Sequence, residues 1–271
     1  MAGEDGTGFT EVDAADDPTY FIRLLEILNA NPFVVALKRR MLDRLAPKPG
    51  QCVLDVGCGL GNDIHAIAGL VMPGGSAVGI DASEVMVAEA RRRSEGLGLP
   101  VEFRLGDAAA LEFDDASFDA VQADRVLIHM ERPAEAMAEM ARVTRPGGRV
   151  VIFDADAETI AIDGTDYQLA RRMVGVIADG LRSGRIGRQL PALFRAAGLV
   201  EVDVVPHTAV VDRAFLQVVF HGALQTAAAA GAIGTAEVAH FWAGLEQAEA
   251  EGRFFAAFGG FIATGVKPWS T

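Results

Sequence analysis

The chain has 271 residues, of which 51% are hydrophobic and 23% are charged, a balance typical of a globular protein with a sizeable core. Its 24 lysines and arginines face 37 acidic residues, and the net charge of −13 argues against nucleic acid or an anionic membrane surface as a partner. The longest apolar runs, such as Ala223–Ile233, are shorter than the roughly 18 to 20 residues that span a bilayer, so no membrane span is expected.

The N-terminal part of the chain changes character at about residue 18. Residues 1–17 are rich in Gly, Asp, Glu and Thr, which predicts a flexible tail, and they lack the basic and apolar stretches of a secretory signal, which favours a cytoplasmic protein. Between residues 18 and 46, apolar residues recur at helical spacing on both sides of Asn31-Pro32 and predict two helices. We expect these helices to form a lid, with Tyr20 and Arg23 in contact with the substrate.

From residue 47 onwards, short β-rich segments alternate with helical segments, which predicts right-handed βαβ crossovers and a doubly wound, mainly parallel α/β sheet. The predicted strands are 52–56, 76–80, 101–105, 118–123, 148–154, 200–206 and 254–266. Helices are predicted near 61–71, 83–95, 133–143, 166–183, 189–197, 212–230 and 235–250, with a short turn of helix near 125–130. Helical insertions near 157–190 and 210–252 are expected to cap the carboxyl edge of the sheet, where open α/β folds keep their ligands.

The first predicted strand runs directly into a glycine turn, in the sequence Val53-Leu54-Asp55-Val56-Gly57-Cys58-Gly59-Leu60-Gly61. Glycines let the backbone turn sharply and approach a ligand, but such a turn alone also serves nicotinamide and flavin dinucleotides. The short glycine spacing and the carboxylate of Asp55 favour a cationic sulfonium with an ammonium group over a pyrophosphate. The turn therefore favours S-adenosylmethionine over NAD. Cys52 and Cys58 are interpreted as reduced packing residues, and no metal site is expected.

Acidic residues also follow the next two strands. Asp81 ends the second strand, where its carboxylate suits two ribose hydroxyls, and Asp107 follows the third, where it suits an adenine amino group. Carboxylates at the ends of three successive strands predict one site for a nucleoside.

These motifs together resemble the class I S-adenosylmethionine-dependent methyltransferases of quinone and natural-product biosynthesis. The resemblance covers roughly residues 45–155, through the glycine turn, Gly79–Ser83, Gly106–Ala108, the strand from Phe118 with Asp124–Met130, and Val143–Gly148. It implies a Rossmann-like, seven-stranded sheet with an antiparallel last strand, and a methyltransferase domain over residues 47–271. It also implies roles for individual cofactor-binding residues. Asp55, Gly57 and Gly59 would frame the methionine moiety, Asp81 the ribose, Ala82 and Met86 the flank of the adenine, Asp107 and Ala108 its edge, and the Asp124 carbonyl the ammonium group.

Candidate residues for the reaction itself are fewer. His129 follows the fourth strand and is a candidate general base with a pKa near neutrality. Asp154 and His221 are candidates for the substrate pocket, together with Tyr20 and Arg23. A basic cluster is either a solvated helix face or a grip for an anionic acceptor. It consists of Arg171, Arg172, Arg182, Arg185 and Arg188.

The sequence thus predicts an enzyme that transfers the methyl group of S-adenosylmethionine to a small, hydrophobic acceptor and releases S-adenosylhomocysteine. Apolar cap helices favour an aromatic or polyketide-like acceptor. Two alternatives stay open: a cyclase or other non-methylating enzyme on the same cofactor-binding fold, and a cofactor-binding protein without turnover. An NAD-dependent oxidoreductase ranks last. The atom that is methylated and the oligomeric state, with a homodimer as one option, are left open.

Overall fold

The structure is a computed structural model that describes Phe9 and residues 12–269. The strands β1 to β8 span Cys52–Val56, Ser76–Asp81, Val101–Leu105, Phe118–Asp124, Thr144–Ala155, Ala161–Asp163, Val200–Val210 and Phe255–Val266. The helices α1 to α9 span Thr19–Ala30, Pro32–Leu45, Asn62–Val71, Glu84–Ser94, Pro133–Val143, Tyr167–Gly180, Leu190–Ala196, Arg213–Ala229 and Thr235–Ala250.

The strands form one open sheet in the order β3-β2-β1-β4-β5-β8-β6, with β7 also paired to β8. The pairs within β3-β2-β1-β4-β5 are parallel, whereas β8 is antiparallel to β5, β6 and β7. A reversal between β1 and β4 places the carboxyl ends of both strands beside a crevice, which is where ligands bind in folds of this class. The predicted fold class, a mainly parallel α/β sheet with an antiparallel last strand, is confirmed.

Within residues 12–269 the sheet has eight strands, not the predicted seven. The additional strand, β6, has three residues and lies in the first predicted cap insertion. Ala257 pairs with Val210 of β7 and with Ala161 of β6, so β6 lies on the same edge of β8 as β5 and continues its line. Three residues are too few to give a recognisable alternation of apolar and polar side chains in the sequence.

The end of the predicted flexible tail, residues 12–17, packs on the protein. Val12 is buried in a small cluster with Met86. Asp13 accepts a hydrogen bond of 2.7 Å from the backbone N–H of Glu84, at the start of α4. A carboxylate stabilises a helix N-terminus, where the first N–H groups have no partner in the helix. The prediction that residues 12–17 belong to a flexible tail is therefore wrong, because composition does not show this capping contact. The rest of it, residues 1–8, 10 and 11, lies outside the described residues.

The predicted lid, residues 18–46, consists of the two helices α1 and α2, and α2 packs on the sheet. Helix α2 begins after Asn31, whose side chain accepts a hydrogen bond from Phe33 N, and it packs against β4, β5 and β7. Its buried face consists of Phe33, Val34, Leu37, Met41 and Leu45. This spacing fits the helical period, so α2 belongs to the layer that covers the sheet and is not part of a lid.

Three helices of the predicted cap pack on one another, since α8 contacts α6 and α9, and α6 contacts α9. Within the described part of the chain, no single helix is long and apolar enough to cross a membrane. Helices α1 and α2 reach that length and composition only when they are counted together, and the chain bends by 77° between them.

Candidate functional site

A cavity of about 590 Å³ lies at the carboxyl ends of β1, β2 and β4. This volume is within the usual range for a small-molecule site. Its walls come from the loops after these strands, from α1 and α2, and from the cap helices α6 and α8. The cavity therefore joins the predicted cofactor site to the cap.

The glycine turn after β1 forms one wall of the cavity. Gly57 has φ +70° and Gly59 has φ +50°, values that side chains rarely allow. A Cβ atom on Gly57 would lie 2.4 Å from Cγ2 of Val126, in the loop after β4. The turn thus needs glycine at position 57 both for its backbone conformation and for its contact with the neighbouring strand end.

Asp81 lines the cavity at the end of β2 and fixes the glycine turn. Its Oδ2 accepts a 2.9 Å hydrogen bond from Gly59 N, and its Oδ1 accepts a 3.0 Å hydrogen bond from Ser83 N. Burial raises the pKa of the Asp81 carboxyl above its usual value. A carboxylate has about four lone-pair sites, so Asp81 keeps acceptor capacity for a ligand.

Ala82 and Met86 lie beside Asp81 in the cavity wall, since Ser83 caps α4 and directs its first turn toward the cavity. The loop after β3 closes this end. Asp107 and Ala108 line the cavity there, and Asp107 is exposed, with Oδ1 accepting a 2.8 Å hydrogen bond from Ala109 N. The structure thus brings together the residues that the sequence assigned to one nucleoside site.

A charged cluster lies beside the glycine turn. Lys38 of α2 forms an ion pair with Asp63 at the start of α3, and its Nζ lies 3.3 Å from Oδ2 of Asp124. Burial opposes the charge on Lys38, but the two carboxylates outweigh it and raise its pKa. Lys38 was missed in the sequence, although its spacing from Val34 places both on one face of α2.

Asp124 is held from both sides in this cluster. Arg125 donates to it through Nε at 2.9 Å and through Nη2 at 2.8 Å. Burial alone would raise the pKa of Asp124, but the charges of Arg125 and Lys38 hold it below its usual value. The Asp124 side chain is therefore ionised and engaged by two cations.

Asp55 is buried beneath the cluster, at the end of β1, and lines the cavity. Its Oδ1 accepts a 3.1 Å hydrogen bond from Gln122 Nε2. Burial, reinforced by the charge of Asp63, raises the pKa of Asp55 well above its usual value. In the described part of the chain, no group of His, Cys, Asp and Glu side chains could hold a metal ion.

His129 lies in the cavity wall at the end of a short 3-10 helix, Leu127–His129. Its ring packs against the ring of Phe9, with 5.4 Å between the centroids. Burial and the positive charges of Arg125 and Arg182 lower the pKa of His129 to about 4. The predicted pKa near neutrality is therefore wrong, because the sequence did not show that the ring is buried. His129 is a neutral ring at neutral pH.

Asp154 is fully buried behind the 3-10 helix and does not line the cavity. Its two carboxylate oxygens accept hydrogen bonds from Leu127 N at 3.0 Å and from Ile128 N at 3.3 Å. The prediction that Asp154 contacts substrate is wrong, since both oxygens face the backbone that carries His129. Asp154 positions His129 through that backbone.

The opposite end of the cavity is apolar. Side chains from α6, α8, β8 and the segment before β6 converge there. They include Ile160, Ile177, Phe215, Phe220, Ala223 and Phe258. A ligand in this end loses contact with water and gains about 25 cal/mol for each Å² of apolar surface that it buries.

Three other predicted pocket residues are not part of the cavity wall that the structure describes: Tyr20, Arg23 and His221. Arg23 is exposed and forms a 2.7 Å ion pair with Asp17. Tyr20 packs edge to face against Phe21, with 5.3 Å between the ring centroids. His221 is exposed because α8 turns the adjacent residue, Phe220, inward. The structure thus places these three side chains outside the cavity wall, because helix phase, not position along the chain, decides which side chains face the cavity.

Residues 47–183 match the model of a family described as methyltransferase domain, which is half of the chain. The nocamycin O-methyltransferase of Saccharothrix syringae is 44% identical over 207 residues, which cover 67% of this chain and 71% of that protein. The crystal structure of the cyclase SpnF is similar with a TM-score of 0.54 at 27% identity, covering 88% of this chain and 82% of that chain.

A further relative is an uncharacterized 37.1 kDa protein of a transposon in Streptomyces fradiae. It is 45% identical over 174 residues, which cover 64% of this chain and 50% of that protein. This chain thus spans about half the length of that relative. It spans 58% of the methyltransferase GfsG of Streptomyces halstedii and 59% of the O-methyltransferase cnsE of Penicillium expansum.

Proposed function

We infer, because the chain belongs to the class I S-adenosylmethionine-dependent methyltransferases, that it transfers the methyl group of this cofactor to a small acceptor with an apolar body. The observation that carries this proposal is the difference in chemistry between the two ends of the cavity wall. One end has the glycine turn and the carboxylates of Asp81 and Asp107, and the other end is apolar. Two ligands of different chemistry fit such a cavity side by side.

The residues of the first end fit the nucleoside part of the cofactor. Gly57 and Gly59 leave the backbone free of side chains, and Asp81 keeps lone pairs for the ribose hydroxyls. Met86 and Ala82 offer an apolar flank to the adenine, and Asp107 an acceptor at its edge. These six residues support the binding role that the resemblance implies.

The charged cluster fits the methionine part of the cofactor. Lys38 offers donors to its carboxylate, and Asp63 and Asp124 offer negative charge to its ammonium group. Asp55 lies below the turn with a raised pKa, so we propose that it supports the turn and frames this moiety without direct charge pairing. The carbonyl of Asp124 stays the proposed partner of the ammonium group.

The bound cofactor supplies a methyl group activated by a positively charged sulfur. The protein then has to hold the acceptor in line with this methyl group and to exclude water. The apolar end positions the body of the acceptor, while Phe9 and α1 cover the cofactor end. His129 lies in the cavity wall with the apolar residues and the glycine turn, and we propose that its neutral ring hydrogen-bonds the reacting group of the acceptor.

Replacing His129 with alanine is expected to lower kcat about 100-fold, since a misplacement of about 1 Å in the acceptor costs that much. The affinity for S-adenosylmethionine should stay unchanged. Steady-state kinetics and calorimetry measure the two quantities. His240→Ala is the control, because His240 is exposed on α9. Full activity of the His129 variant would reduce His129 to a packing residue.

Replacing Asp81 with alanine is expected to weaken binding of S-adenosylmethionine by about 1 to 3 kcal/mol, or roughly 5- to 150-fold, through loss of charge-assisted hydrogen bonds. Isothermal titration calorimetry measures the change. Glu246→Ala, at an exposed acid of α9, is the matched control and should bind as the wild type does. An unchanged affinity of the Asp81 variant would contradict the ribose assignment.

Methyl transfer itself is tested with cofactor labelled in its methyl group. The protein is incubated with a panel of hydrophobic phenols, enols and aromatic acids, and label in an extracted product, with an equal amount of S-adenosylhomocysteine, is the expected result. A product without label would favour the cyclase alternative. Binding of the cofactor with no product from any acceptor would favour a binding protein without turnover. Binding of NAD in its place would favour an oxidoreductase. The cytoplasmic location and a homodimer stay predictions from the sequence.

A further inference from the structure

The cavity wall contains arginines as well as acids. Four acids of the wall, Asp55, Asp63, Asp81 and Asp107, lie at the cofactor end, whereas Glu131 lies beside Arg182. The wall also contains three guanidinium groups, those of Arg125, Arg132 and Arg182, and the charges of Arg125 and Arg182 act on His129. The cofactor is a cation at its sulfur and ammonium groups, and the acids suit it. The arginines therefore need an explanation of their own.

Four of the five arginines in the basic cluster are already engaged away from the cavity. They are Arg171 over the ring of Tyr167, Arg172 with Glu237, Arg185 with Glu158 and Asp179, and Arg188 with Asp156 and Glu158. Arg182 differs from them. It lines the cavity, and its ion pair within the described chain is with Glu131 at 3.6 Å, too long for a hydrogen bond.

Arg182 is held beside His129 by its neighbour in the chain. Ser183 N donates a 3.0 Å hydrogen bond to the carbonyl of Ile128, and Ser183 Oγ donates a 2.9 Å hydrogen bond to the carbonyl of Met130. These bonds join the end of the α6 segment to the 3-10 helix on both sides of His129. The backbone position of Arg182 is therefore fixed by the fold, while its side chain is 43% exposed and accessible to a ligand.

Arg125 and Arg132 differ in what they leave for a ligand. Arg125 uses Nε and Nη2 for Asp124, and its Nη1 has no hydrogen-bond partner among the described residues. Arg132 is 68% exposed and pairs with Glu135, so water and this acid screen its charge. Arg182 and Arg125 are thus the cations that remain for a ligand at this end.

We propose that the acceptor is an apolar organic acid, whose carboxylate binds Arg182 with Arg125 and the neutral ring of His129 beside it, and whose body fills the apolar end formed by α6 and α8. This inference rests on the proposed function and names the substrate class of the same cavity. A guanidinium with free N–H groups binds a carboxylate through two parallel hydrogen bonds. Arg182 is less exposed than Arg132, at 43% against 68%, so water screens its attraction for a carboxylate less.

The test compares 1-naphthoate with 1-naphthamide, which have the same ring system and differ in charge. Both are titrated into the wild-type protein saturated with S-adenosylhomocysteine. We expect naphthoate to bind about tenfold more tightly or better, the effect of one charge-assisted hydrogen-bonded pair. Equal binding of the two probes, or binding of neither, would overturn the proposal.

Variants assign the effect to Arg182. Arg182→Gln should bring the two probes to within about twofold of each other, whereas Arg182→Lys should keep part of the preference, because a lysine retains the charge without the planar fork. Arg171→Gln is the matched control on α6 and should keep the full preference, since Arg171 is exposed and outside the cavity wall. A full preference in Arg182→Gln would overturn the proposal. Binding of S-adenosylhomocysteine is measured in the same proteins, and its absence would count against the proposed function and not against this inference alone.

Discussion

Replacing Gly57 with alanine is expected to lower the free energy of unfolding by about 2 to 5 kcal/mol and to weaken S-adenosylmethionine binding about tenfold or more. The positive φ at this position costs a residue with a Cβ about 1 to 2 kcal/mol, and the 2.4 Å approach to Val126 adds about 1 to 3 kcal/mol of overpacking. A shift of the turn that costs about 1.4 kcal/mol of binding energy already reduces affinity tenfold.

Two controls separate these causes in urea unfolding and calorimetry. Gly50→Ala introduces a Cβ at φ +86° with no atom within 4 Å, so it should lose about 1 to 2 kcal/mol of stability and no cofactor affinity. Adding Val126→Ala to Gly57→Ala should restore the part of the stability that is due to the clash. Equal losses of unfolding free energy and of cofactor affinity in Gly57→Ala and Gly50→Ala would contradict the role given to the contact with Val126.

Replacing Asp154 with alanine is expected to lower the free energy of unfolding by about 2 to 4 kcal/mol. Each of the two backbone N–H groups that lose their acceptor, at Leu127 and Ile128, costs about 1 to 3 kcal/mol when buried, and removal of a buried carboxyl offsets part of this. Turnover should fall as well, since the 3-10 helix carries His129.

The matched control is Asp166→Ala. Asp166 caps α6 through a 2.9 Å hydrogen bond to Leu169 N, but it is exposed, so water replaces the lost acceptor and the cost should be about 1 kcal/mol. Denaturant unfolding of both variants at neutral pH gives the comparison. The interpretation of Asp154 fails if its variant loses no more stability than the Asp166 variant does.

The cofactor end of the cavity was predictable because its determinants are local. A buried strand followed by Gly57 and Gly59 defines a turn, and the parallel sheet places the ends of neighbouring strands side by side. Asp81 and Asp107 therefore approach this turn in any chain with such an order of strands. Asp81 and Asp107 are 22 to 50 positions from the two glycines in sequence. They line the same cavity because of the sheet topology, which the alternation of strands and helices already indicates.

The acceptor end was not predictable because it depends on how distant helices are rotated. Helix α8 is apolar on most of its surface, so its sequence did not show that Phe220 faces inward and His221 outward. Arg182 stood in a series of five arginines, and only tertiary packing separates it from the four that pair elsewhere. Lys38 approaches Asp63 and Asp124 from a helix that precedes the whole sheet.

The most direct test of the central claim is a crystal structure of the protein grown with S-adenosylhomocysteine. We expect the nucleoside to lie across Gly57 and Gly59, with its ribose hydroxyls on the carboxylate of Asp81 and its sulfur directed toward the apolar end of the cavity. An empty cleft at saturating concentration, or the nucleoside bound at another place on the protein, would contradict the account.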